Sequence, residues 1–589
     1  MCGIFAVASL KEDVPLKGLN IALTSLSKRG PDDRGILTFP HCVLGQTRLS
    51  IIDLSGGHQP MRDNTYPLAI TFNGEIYNYK EIKKELEKKG HAFSTNSDTE
   101  VILKAHKEYG VDCLKHLDGM FAFAIWDEGK KSLFIARDRF GKKPLYYAFD
   151  KLGNLMIASE IKALFASGLI KGEIDPEAID NYLALMYIPP WRTIYKNVFT
   201  LAPAEYALYR NGKLEKKKYW ELEFNPISIE YNEAKEEIKR LFTEAVKKRM
   251  VADVEIGSFL SGGVDSTLVT MYAQEYTTHP LKTFSLGYGN YRNELPYAET
   301  ASTKIGTDHH TLQANEDLTH VLKESLAYFD EPHADSSDFP QSLLSQFAAQ
   351  KVKVALSGDG ADELFMGYGW YNKHMNLSWK AHTFEKMFLN PFEGYVRNIS
   401  IFSPSERKRL WGQNTYVKEF LNSSVGRESL NSIEKINIYD LTTYLPGQLL
   451  TKIDRMSMMH SLEVRSPFLD HTLAQFVYNL PIKYKMNRSE NKIILKDILA
   501  ESMPKEFVYR KKQGFGAPVE EWLNTPRLKG LVLEKLGDKA SIYSILRKEE
   551  VQNIVSSFYS KGKKLLYYKV WVLLCLELWL ESHIADISS

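Results

Sequence analysis

The sequence predicts a two-domain protein in which stacked β-sheets flanked by helices are followed by an α/β domain with a parallel sheet and added helices. Its 589 residues are several times the usual domain length of about 100–200 residues. Runs such as YPLAITFNGEIYNY in the first third are rich in β-forming residues, with few long helical patterns between them. Further on, VEIGSFL, LKTFSL and VKVALS alternate with Gly-rich turns and amphipathic segments, which is typical of parallel strands joined by helices.

A change in composition marks the boundary between the two domains. Residues 209–228, YRNGKLEKKKYWELEFNPIS, mix charge, Gly and Pro, and a helical pattern begins near Glu230. We therefore predict a first domain over residues 1–205, a linker over 206–229 and a second domain over 230–589. The last part of the chain has a mostly helical pattern, which predicts helices that wrap the sheet and cover its site.

Composition limits the partners that the protein is expected to have. The 75 Lys and Arg residues nearly balance the 73 Asp and Glu residues, so the net charge of +2 gives no general attraction to nucleic acid or anionic membranes. Four cysteines without a CxxC pair suit a reducing compartment, which predicts a cytoplasmic location. The longest late apolar run, residues 570–576, is far shorter than the roughly 18 residues of a membrane span. We expect neither a nucleic-acid nor a membrane partner.

The most specific local signal is SGGVDS, residues 261–266, which follows an apolar run ending at Leu260 and precedes a helix expected near Thr267. Two glycines allow close approach of an anion, and the N-H groups of the following helix point toward it, so the loop predicts a pyrophosphate cradle. Asp265 would repel phosphate unless a cation such as Mg²⁺ joined them. The alternative is an ordinary strand-to-helix turn in which Ser266 caps the helix.

A second stretch, residues 351–368, repeats the pattern of strand, Gly turn and helix in KVKVALSGDGADELFMGY. Its turn carries the carboxylates of Asp359, Asp362 and Glu363, and it should open on the same edge of the sheet as the first loop. Carboxylates beside a phosphate loop suit Mg²⁺ binding or proton transfer. Alternatively, Asp359 and Asp362 cap the start of a helix.

The N-terminus, MCGIFAV, places a cysteine at the second position. Cys2 is either a buried strand residue or a nucleophile that becomes the first residue after Met1 is removed. Further along, Asn73-Gly74 in FNGEIYN lies between apolar runs and, taken alone, fits a hairpin turn. The residues around Cys2 leave its two alternatives open.

SGGVDS and ALSGDGADELF together resemble the glutamine-dependent asparagine synthetases, and the resemblance extends over nearly the whole chain. It includes KRGPDDRG, TRLSIIDL, ARDRFGKKPLYY, DRMSMMHSLEVRSPFLD and KQGFGAPVEEWL. The resemblance implies an N-terminal-nucleophile αββα sandwich joined to a sheet domain like that of the adenine-nucleotide α-hydrolases. It also implies an internal ammonia passage between two active sites.

In the first domain, the resemblance implies a glutaminase site in which Cys2 is the nucleophile. The α-amino group freed by removal of Met1, with a reference pKa of about 8, acts as the base. Asn73 and Gly74 are implied as the oxyanion hole. The implied glutamine-binding residues are Arg48, Leu49, Ser50, Ile51, Ile52, Asn73, Gly74, Glu75 and Asp98. Taken alone, Arg48 fits a surface arginine, and residues 97–100, Ser-Asp-Thr-Glu, fit a capping box.

In the second domain, the resemblance implies that an acceptor carboxylate attacks the α-phosphate of ATP and that ammonia then displaces AMP. Lys492 and Asp359 are implied as catalytic residues, with Asp265 and Asp362 as ligands of Mg²⁺. Taken alone, Lys492 fits an ordinary surface lysine. The implied ATP-binding residues are Leu260, Ser261, Gly262, Gly263, Asp265, Ser266, Leu286, Ser357 and Gly358.

The acceptor implied by the resemblance is aspartate, which would be converted to asparagine through β-aspartyl-AMP. Asp359 stands where asparagine synthetases often carry Glu, so another carboxylate, such as a sugar uronate or a cell-wall precursor, stays open. A catalytically inactive interaction protein on the same fold is the third hypothesis. The expected partners are glutamine, ATP and the acceptor, Mg²⁺ is the expected cofactor, and a homodimer stays open.

Overall fold

The computed structural model describes residues 1–586 except positions 10, 12–13, 15–17, 288–292, 315–318, 377–394, 397–398, 413–429 and 511–515. Within this part of the chain, residues 1–218 form two antiparallel sheets of six strands each, and a parallel sheet of five strands follows. Residues 512–515 of the KQGFGAPVEEWL motif lie outside the described residues.

The two six-stranded sheets pack face to face. Side chains alternate between the faces of a strand, so Ile4 in strand Gly3–Ala8 shares an apolar cluster with Ala122 of the opposite sheet. Phe5, next along the same strand, points the other way into a cluster that contains helical residues. The sandwich core therefore lies between the sheets, and a second apolar layer lies outside each of them.

Helices cover the outer face of each sheet. Leu19–Ser25 and Ile161–Ala166 pack on the first sheet, whereas Asp98–Tyr109, joined by Tyr79–Lys88, packs on the second. The layers of this half therefore follow the order helix, sheet, sheet, helix.

Neighbouring strands in each sheet are often distant in the chain. In spatial order, the first sheet consists of Val198–Thr200, Tyr146–Phe149, Leu155–Ala158, Gly3–Ala8, Cys42–Arg48 and Asp33–Thr38. The second sheet consists of Lys213–Lys218, Glu205–Arg210, Ser132–Arg137, Gly119–Asp127, Leu68–Ile76 and Met61–Arg62. The parallel sheet consists of Asp308–Gln313, Lys282–Gly287, Ile256–Phe259, Val354–Leu356 and Glu463–Arg465.

The predicted linker over residues 206–229 is wrong in its first half. Glu205–Arg210 pairs with Ser132–Arg137, and Lys213–Lys218 pairs in turn with Glu205–Arg210, so both strands extend the second sheet. The alternation in EYALYR was obscured by the charged run that follows it, since the last strand is an exposed edge rich in lysine. The segment that joins the halves is therefore residues 219–230, which has no regular secondary structure.

The parallel sheet expected in the second half is confirmed. Ile256–Phe259 and Val354–Leu356 are hydrogen-bonded neighbours, so the loops that follow them open on the same edge. The mostly helical pattern of the last part of the chain did not predict strand Glu463–Arg465, which joins the edge of this sheet. This strand is too short to show a period. The two predicted phosphate-site loops therefore lie side by side.

Helices surround the parallel sheet and form the C-terminal part of the chain. A π-helical segment, Asp440–Leu449, leads into helix Leu450–Met458. Among the described residues, no helix has the length and hydrophobicity that crossing a membrane requires. In the described part of the chain, the remaining helices of about two or more turns are Pro176–Leu185, Tyr231–Arg249, Val264–Gln274, Leu295–Ile305, Thr319–Tyr328, Asp338–Ala349, Gly369–Met375, Pro404–Trp411, Ser432–Tyr439, His471–Tyr478, Ile493–Leu499, Pro526–Lys535, Lys548–Tyr559 and Tyr567–His583.

Shorter helices connect these elements. The one-turn α-helices are Cys113–His116, Ala361–Leu364, Ile482–Lys485, Lys505–Val508 and Val519–Leu523. The 3₁₀ helices are Gly110–Asp112, Pro467–Leu469, Ser541–Ser544, Lys564–Leu566 and Ile584–Asp586.

Leu44→Ala tests the placement of the sandwich core. Leu44 is fully buried between the sheets, so its truncation should lower the free energy of unfolding by about 2–5 kcal/mol. Leu152→Ala, at a side chain that is 76% exposed, is the matched control and should change it by less than about 0.5 kcal/mol. Urea denaturation followed by tryptophan fluorescence measures both, and equal losses would contradict the placement.

Candidate active sites

Cys2 lies at the start of strand Gly3–Ala8 and is 5% exposed. Its backbone N-H donates to Asn73 Oδ1 at 3.0 Å, and the amino nitrogen of Met1 lies 3.4 Å from Glu463 Oε2. Burial raises the pKa of the Cys2 thiol, while the nearby amino group and a hydrogen bond from the Leu49 backbone act to lower it. The thiol is therefore buried beside the amino group of Met1, which lies close to the Glu463 carboxylate from the second half of the chain.

Asn73 and Gly74 lie in the middle of strand Leu68–Ile76, so the hairpin alternative is wrong. Because Asn73 Oδ1 accepts from Cys2, its Nδ2 group is left buried without a hydrogen-bond partner. A Cβ atom at Gly74 would collide with the carbonyl oxygen of Met120, which explains the glycine. An unused buried donor beside a thiol is suited to stabilise negative charge that develops on a substrate oxygen.

Arg48 is the last residue of strand Cys42–Arg48 and is 4% exposed, so the surface alternative is wrong. Its Nη2 donates to the carbonyl oxygens of Ile52 and Asp53, each at 2.9 Å. Ser50 is held by a 2.8 Å hydrogen bond from its N-H to Asp32. The predicted glutamine-binding loop, which also includes Leu49 and Ile51, is therefore fixed around the guanidinium group.

The carboxylates of Glu75 and Asp98 are both buried, and they lie close enough for the charge of one to act on the other. Asp98 Oδ2 accepts from the Ile76 N-H at 3.0 Å, and burial raises the pKa of Asp98 to about 6. Burial also holds the pKa of Glu75 well above its usual range, with Glu463 and Asp98 adding to the effect. Two carboxylates held at this depth would be stabilised by a bound cation such as a substrate ammonium group.

The capping-box interpretation of residues 97–100 is wrong. Ser97 caps helix Asp98–Tyr109 by accepting from the Thr99 N-H at 3.2 Å. Glu100 does not complete the box, because its carboxylate accepts from the Thr95 N-H at 2.7 Å instead. Ser97 is therefore the helix cap, without the reciprocal hydrogen bond of a capping box.

The SGGVDS loop lies between strand Ile256–Phe259 and helix Val264–Gln274. The helix begins three residues earlier than expected and is capped by Gly263, so the alternative in which Ser266 is the cap is wrong. Instead, the hydroxyl oxygens of Ser261 and Ser266 lie 3.1 Å apart and close the loop. Gly262 has a φ of +71°, and a Cβ there would lie 2.5 Å from Tyr297.

The second loop packs directly against the first. A Cβ at Gly358 would lie 2.8 Å from Asp265 Cβ, and Ser357 Oγ lies 3.2 Å from Ser466 Oγ. Burial raises the pKa of Asp359, while a hydrogen bond from Ser357 and the charge of Lys452 act to lower it. The predicted adenosine contacts are both buried: Leu286 lies in strand Lys282–Gly287, and Leu260 directly follows the neighbouring strand Ile256–Phe259. The structure therefore brings the predicted nucleotide-binding residues together at one sheet edge.

Lys492 lies between the two carboxylates that were predicted to bind a metal ion. Its Nζ is 2.6 Å from Asp265 Oδ2 and 2.7 Å from Asp362 Oδ1, and the residue is 5% exposed. Burial acts to lower the pKa of Lys492, but the two carboxylates outweigh it and raise that pKa. The surface-lysine alternative is therefore wrong. A Cβ at Gly367 would collide with both Lys492 and Asp362, so glycine is needed there.

Four residues near these sites were not predicted from the sequence. Gln46 hydrogen-bonds the Cys2 thiol, and Arg510 donates to the Gly262 carbonyl oxygen at 2.9 Å. Lys452 contacts Ser337 Oγ at 2.8 Å and is one of the charges acting on Asp359. Arg29 donates from Nε to the Cys2 carbonyl oxygen at 3.1 Å. KRGPDDRG contains Arg29, but only the fold shows what it contacts.

Two family matches divide the chain in the same way as its sheets. Residues 1–220 match the glutamine amidotransferase domain family, which defines the class of protein to which the first half belongs. Residues 237–581 match the asparagine synthase family. The chain therefore belongs to the asparagine synthase family.

Similar proteins match over most or all of the chain. Asparagine synthetase (glutamine-hydrolyzing) 3 of Bacillus subtilis (strain 168) is 32% identical and covers 100% of both chains. Asparagine synthetase (glutamine-hydrolyzing) 1 of the same organism is 34% identical over 84% of this chain and 83% of its own. A more distant relative, amidase chry2 of Gibberella zeae, is 28% identical over 90% of this chain and 88% of its own.

Asp98→Asn should change how stability depends on pH. The pKa of Asp98 is about 6 in the folded protein, whereas the unfolded chain loses this proton at about pH 4. Between these two pH values the folded protein keeps a proton that the unfolded chain has lost, so rising pH destabilises the fold. The variant lacks this penalty, so its stability relative to the unaltered protein should rise between about pH 4 and 6, by up to about 3 kcal/mol.

Melting temperatures measured from pH 4 to 8 test this expectation. Asp112→Asn makes the same substitution at an exposed side chain and is the control. A difference between Asp98→Asn and the unaltered protein that does not change with pH would contradict the expectation.

Proposed function

We propose that the protein is a glutamine-hydrolysing asparagine synthetase. It would use ATP to convert aspartate to asparagine through β-aspartyl-AMP, releasing AMP and diphosphate, with ammonia supplied by glutamine. The presence of both sites in one chain supports the proposal. Cys2 is buried beside the side-chain N-H group of Asn73, which has no hydrogen-bond partner. Lys492 lies between two carboxylates next to the SGGVDS loop. A cytoplasmic location and a homodimer stay predictions.

At the first site, the Cys2 sulfur attacks the side-chain amide carbon of glutamine. Removal of Met1 frees the α-amino group, which takes the thiol proton and then delivers it to the departing ammonia. Asn73 Nδ2 and the Gly74 N-H stabilise the oxyanion of the tetrahedral intermediate. Water then hydrolyses the thioester to glutamate and regenerates the thiol.

Glutamine itself is bound through its charged groups. Arg48 is assigned to the α-carboxylate, since a guanidinium group pairs well with it, and residues 49–52 form the wall beside it. Glu75 and Asp98 are assigned to the α-amino group, which would lower their raised pKa values by supplying a positive charge.

At the second site, an oxygen of the acceptor carboxylate attacks the α-phosphorus of ATP, and the bond to the β-phosphate breaks. Ammonia then attacks the acyl carbon, and AMP leaves. Lys492 offsets the charge that develops on the phosphates, and Asp359 is assigned to accept the proton that ammonia loses. The two serines and the helix N-terminus of the SGGVDS loop hold the pyrophosphate.

Asp265 and Asp362 fit the coordination chemistry of Mg²⁺. Both offer carboxylate oxygens, which this ion prefers, and Asp265 Oδ1 is buried without a hydrogen-bond partner. When bound, Mg²⁺ would neutralise part of the charge on the phosphates.

A second candidate keeps this chemistry and changes the acceptor. Asp359 is shorter than the glutamate of many relatives, and the charge of Lys452 acts to lower the pKa of Asp359. Asp359 and Lys452 together would accommodate a different carboxylate, such as a sugar uronate or a cell-wall precursor.

An acceptor panel separates the candidates. Purified protein is supplied with glutamine, ATP and Mg²⁺, and pyrophosphate is measured with aspartate and with other carboxylates. We expect pyrophosphate and asparagine in equal amounts with aspartate. Turnover only with another carboxylate would support the second candidate, and no turnover with any acceptor would support an inactive protein.

Cys2→Ala should abolish glutamine-dependent synthesis and leave ammonia-dependent synthesis within about twofold, because it removes only the nucleophile. Cys113→Ala, at a buried cysteine in another part of the first half, is the control and should retain both activities. Asparagine formation from each nitrogen source gives the readout. Equal loss of both activities in Cys2→Ala would contradict the division of work between the halves.

Gly367→Ala should impair only the second site. The added methyl group displaces Lys492 and Asp362, so ammonia-dependent pyrophosphate release should fall at least about tenfold. Glutamine hydrolysis without ATP should stay within about twofold. Gly530→Ala, in a helix where a Cβ meets no neighbour within 4 Å, is the control and should retain both activities. A fully active Gly367→Ala would show that the close approach of Lys492 is not required.

A further inference from the structure

Arg48 is surrounded by the backbone of the segment that follows it, residues 49–57, which we call the Arg48 loop. Arg48 Nη2 donates to the carbonyl oxygens of Ile52 and Asp53, each at 2.9 Å. The Gly57 N-H donates to the Asp53 carbonyl oxygen at 2.9 Å, and a Cβ atom at Gly57 would lie 2.3 Å from Arg48 Nη2. The backbone of this loop therefore sets the direction of the guanidinium group.

Asp53 has a left-handed backbone conformation, with a φ of +48°. This conformation is unfavourable for a residue other than glycine, so neighbouring contacts must hold it. Within the first half, the Asp53 carboxylate accepts from the Gly56 N-H at 3.0 Å and from the Asn96 N-H at 2.9 Å. These two hydrogen bonds fix the side chain of Asp53, whereas its backbone N-H donates to a residue of the second half.

That residue is Asp253, which lies between helix Tyr231–Arg249 and strand Ile256–Phe259. The Asp53 N-H donates to Asp253 Oδ2 at 2.7 Å, and the Asp253 N-H donates to the Ile51 carbonyl oxygen at 2.9 Å. The first of these is a short hydrogen bond to a charged acceptor, which is stronger than one between neutral groups. Asp253 is exposed, so its side chain contributes to this contact and not to a packed core.

A second contact reaches the Arg48 loop from the parallel sheet. Lys353 Nζ lies 2.7 Å from Asp32 Oδ2, and the same carboxylate oxygen accepts from the Ser50 N-H at 2.8 Å. Both side chains of this ion pair are partly exposed, so the pair contributes little by itself. Residues 50–53 therefore lie against the second half of the chain, and Asp253 makes the stronger contact with them.

We infer that Asp253 is a positioning residue of the glutaminase site and acts on glutamine through Arg48. The inference rests on the proposed function, because it requires that Arg48 binds the α-carboxylate of glutamine. While Asp253 holds Asp53, the carbonyl oxygens of Ile52 and Asp53 keep the guanidinium group in place for that carboxylate. Without Asp253 the loop relaxes, and glutamine binds more weakly. The contact is part of the fold, so its effect is the same with and without ATP and an acceptor.

Asp253→Ala in the full-length protein tests the inference. KM for glutamine should rise about tenfold, because the variant loses a hydrogen bond to a charged group. The kcat for glutamine hydrolysis should stay within about twofold, because Cys2 and Asn73 are unchanged. Both expectations hold with and without ATP and aspartate, and ammonia-dependent pyrophosphate release should also stay within about twofold. An unchanged KM for glutamine would overturn the inference.

Two further variants separate the contact from a general disturbance of the segment. Glu255→Ala is the matched control, because it removes another exposed carboxylate two residues later, which pairs with Lys282 at 2.7 Å. Its KM for glutamine should stay within about twofold. Asp253→Asn keeps a side-chain oxygen that can accept from the Asp53 N-H, so its KM should lie between those of the unaltered protein and Asp253→Ala. Equal increases in Glu255→Ala and Asp253→Ala would overturn the inference.

A double-mutant cycle tests whether Asp253 acts through Arg48. Arg48→Lys alone should raise KM for glutamine, because lysine lacks the fork that pairs with a carboxylate. Adding Asp253→Ala should then raise KM by less than about twofold, because the group on which Asp253 acts is already lost. Two effects that multiply fully would overturn the inference. Absence of glutamine hydrolysis by the unaltered protein would instead refute the proposed function.

Discussion

The buried charges between the two halves are the constraint on which the rest of the structure depends. Arg29, Glu160, Asp454 and Arg455 are each less than 5% exposed, and each faces a charge of opposite sign at hydrogen-bond distance. Loss of one partner from a buried ion pair typically costs about 3–5 kcal/mol, because the other charge stays buried without compensation. These pairs therefore favour one arrangement of the two halves, because a shift that parts the members of a pair while they stay buried leaves a charge without compensation.

The two sites use different parts of their sheets. Asn73 and Gly74 belong to the interior of a nine-residue strand, so the donors beside Cys2 are fixed by the hydrogen bonds of the sheet. The proposed nucleotide site instead uses loops at the edge of parallel strands, where small residues allow the loops and Lys492 to approach closely. A rigid first site suits repeated attack on a single amide, whereas a loop-built site suits the binding and release of several different molecules.

Local sequence patterns predicted the parts of this arrangement that depend on neighbouring residues. SGGVDS and SGDGADE were placed correctly because a strand, a glycine turn and a helix together define a loop at a sheet edge. Patterns of the same length failed where contacts between distant residues decide the outcome. Asn73-Gly74 fits a hairpin turn locally, but pairing over nine residues places it inside a strand. Lys213–Lys218 fits a linker locally, but it is an edge strand of the second sheet. Arg29 and Asp454 are 425 positions apart, so no local pattern connects them.

The proposed function implies that ammonia released at Cys2 is used at the second site before it mixes with the solution. The direct test supplies glutamine labelled with ¹⁵N in the amide group, together with ATP, Mg²⁺, aspartate and unlabelled ammonium at a concentration equal to that of glutamine. We predict that asparagine formed early in the reaction carries a ¹⁵N fraction close to that of the glutamine. A ¹⁵N fraction that matches the dissolved ammonia would contradict this claim.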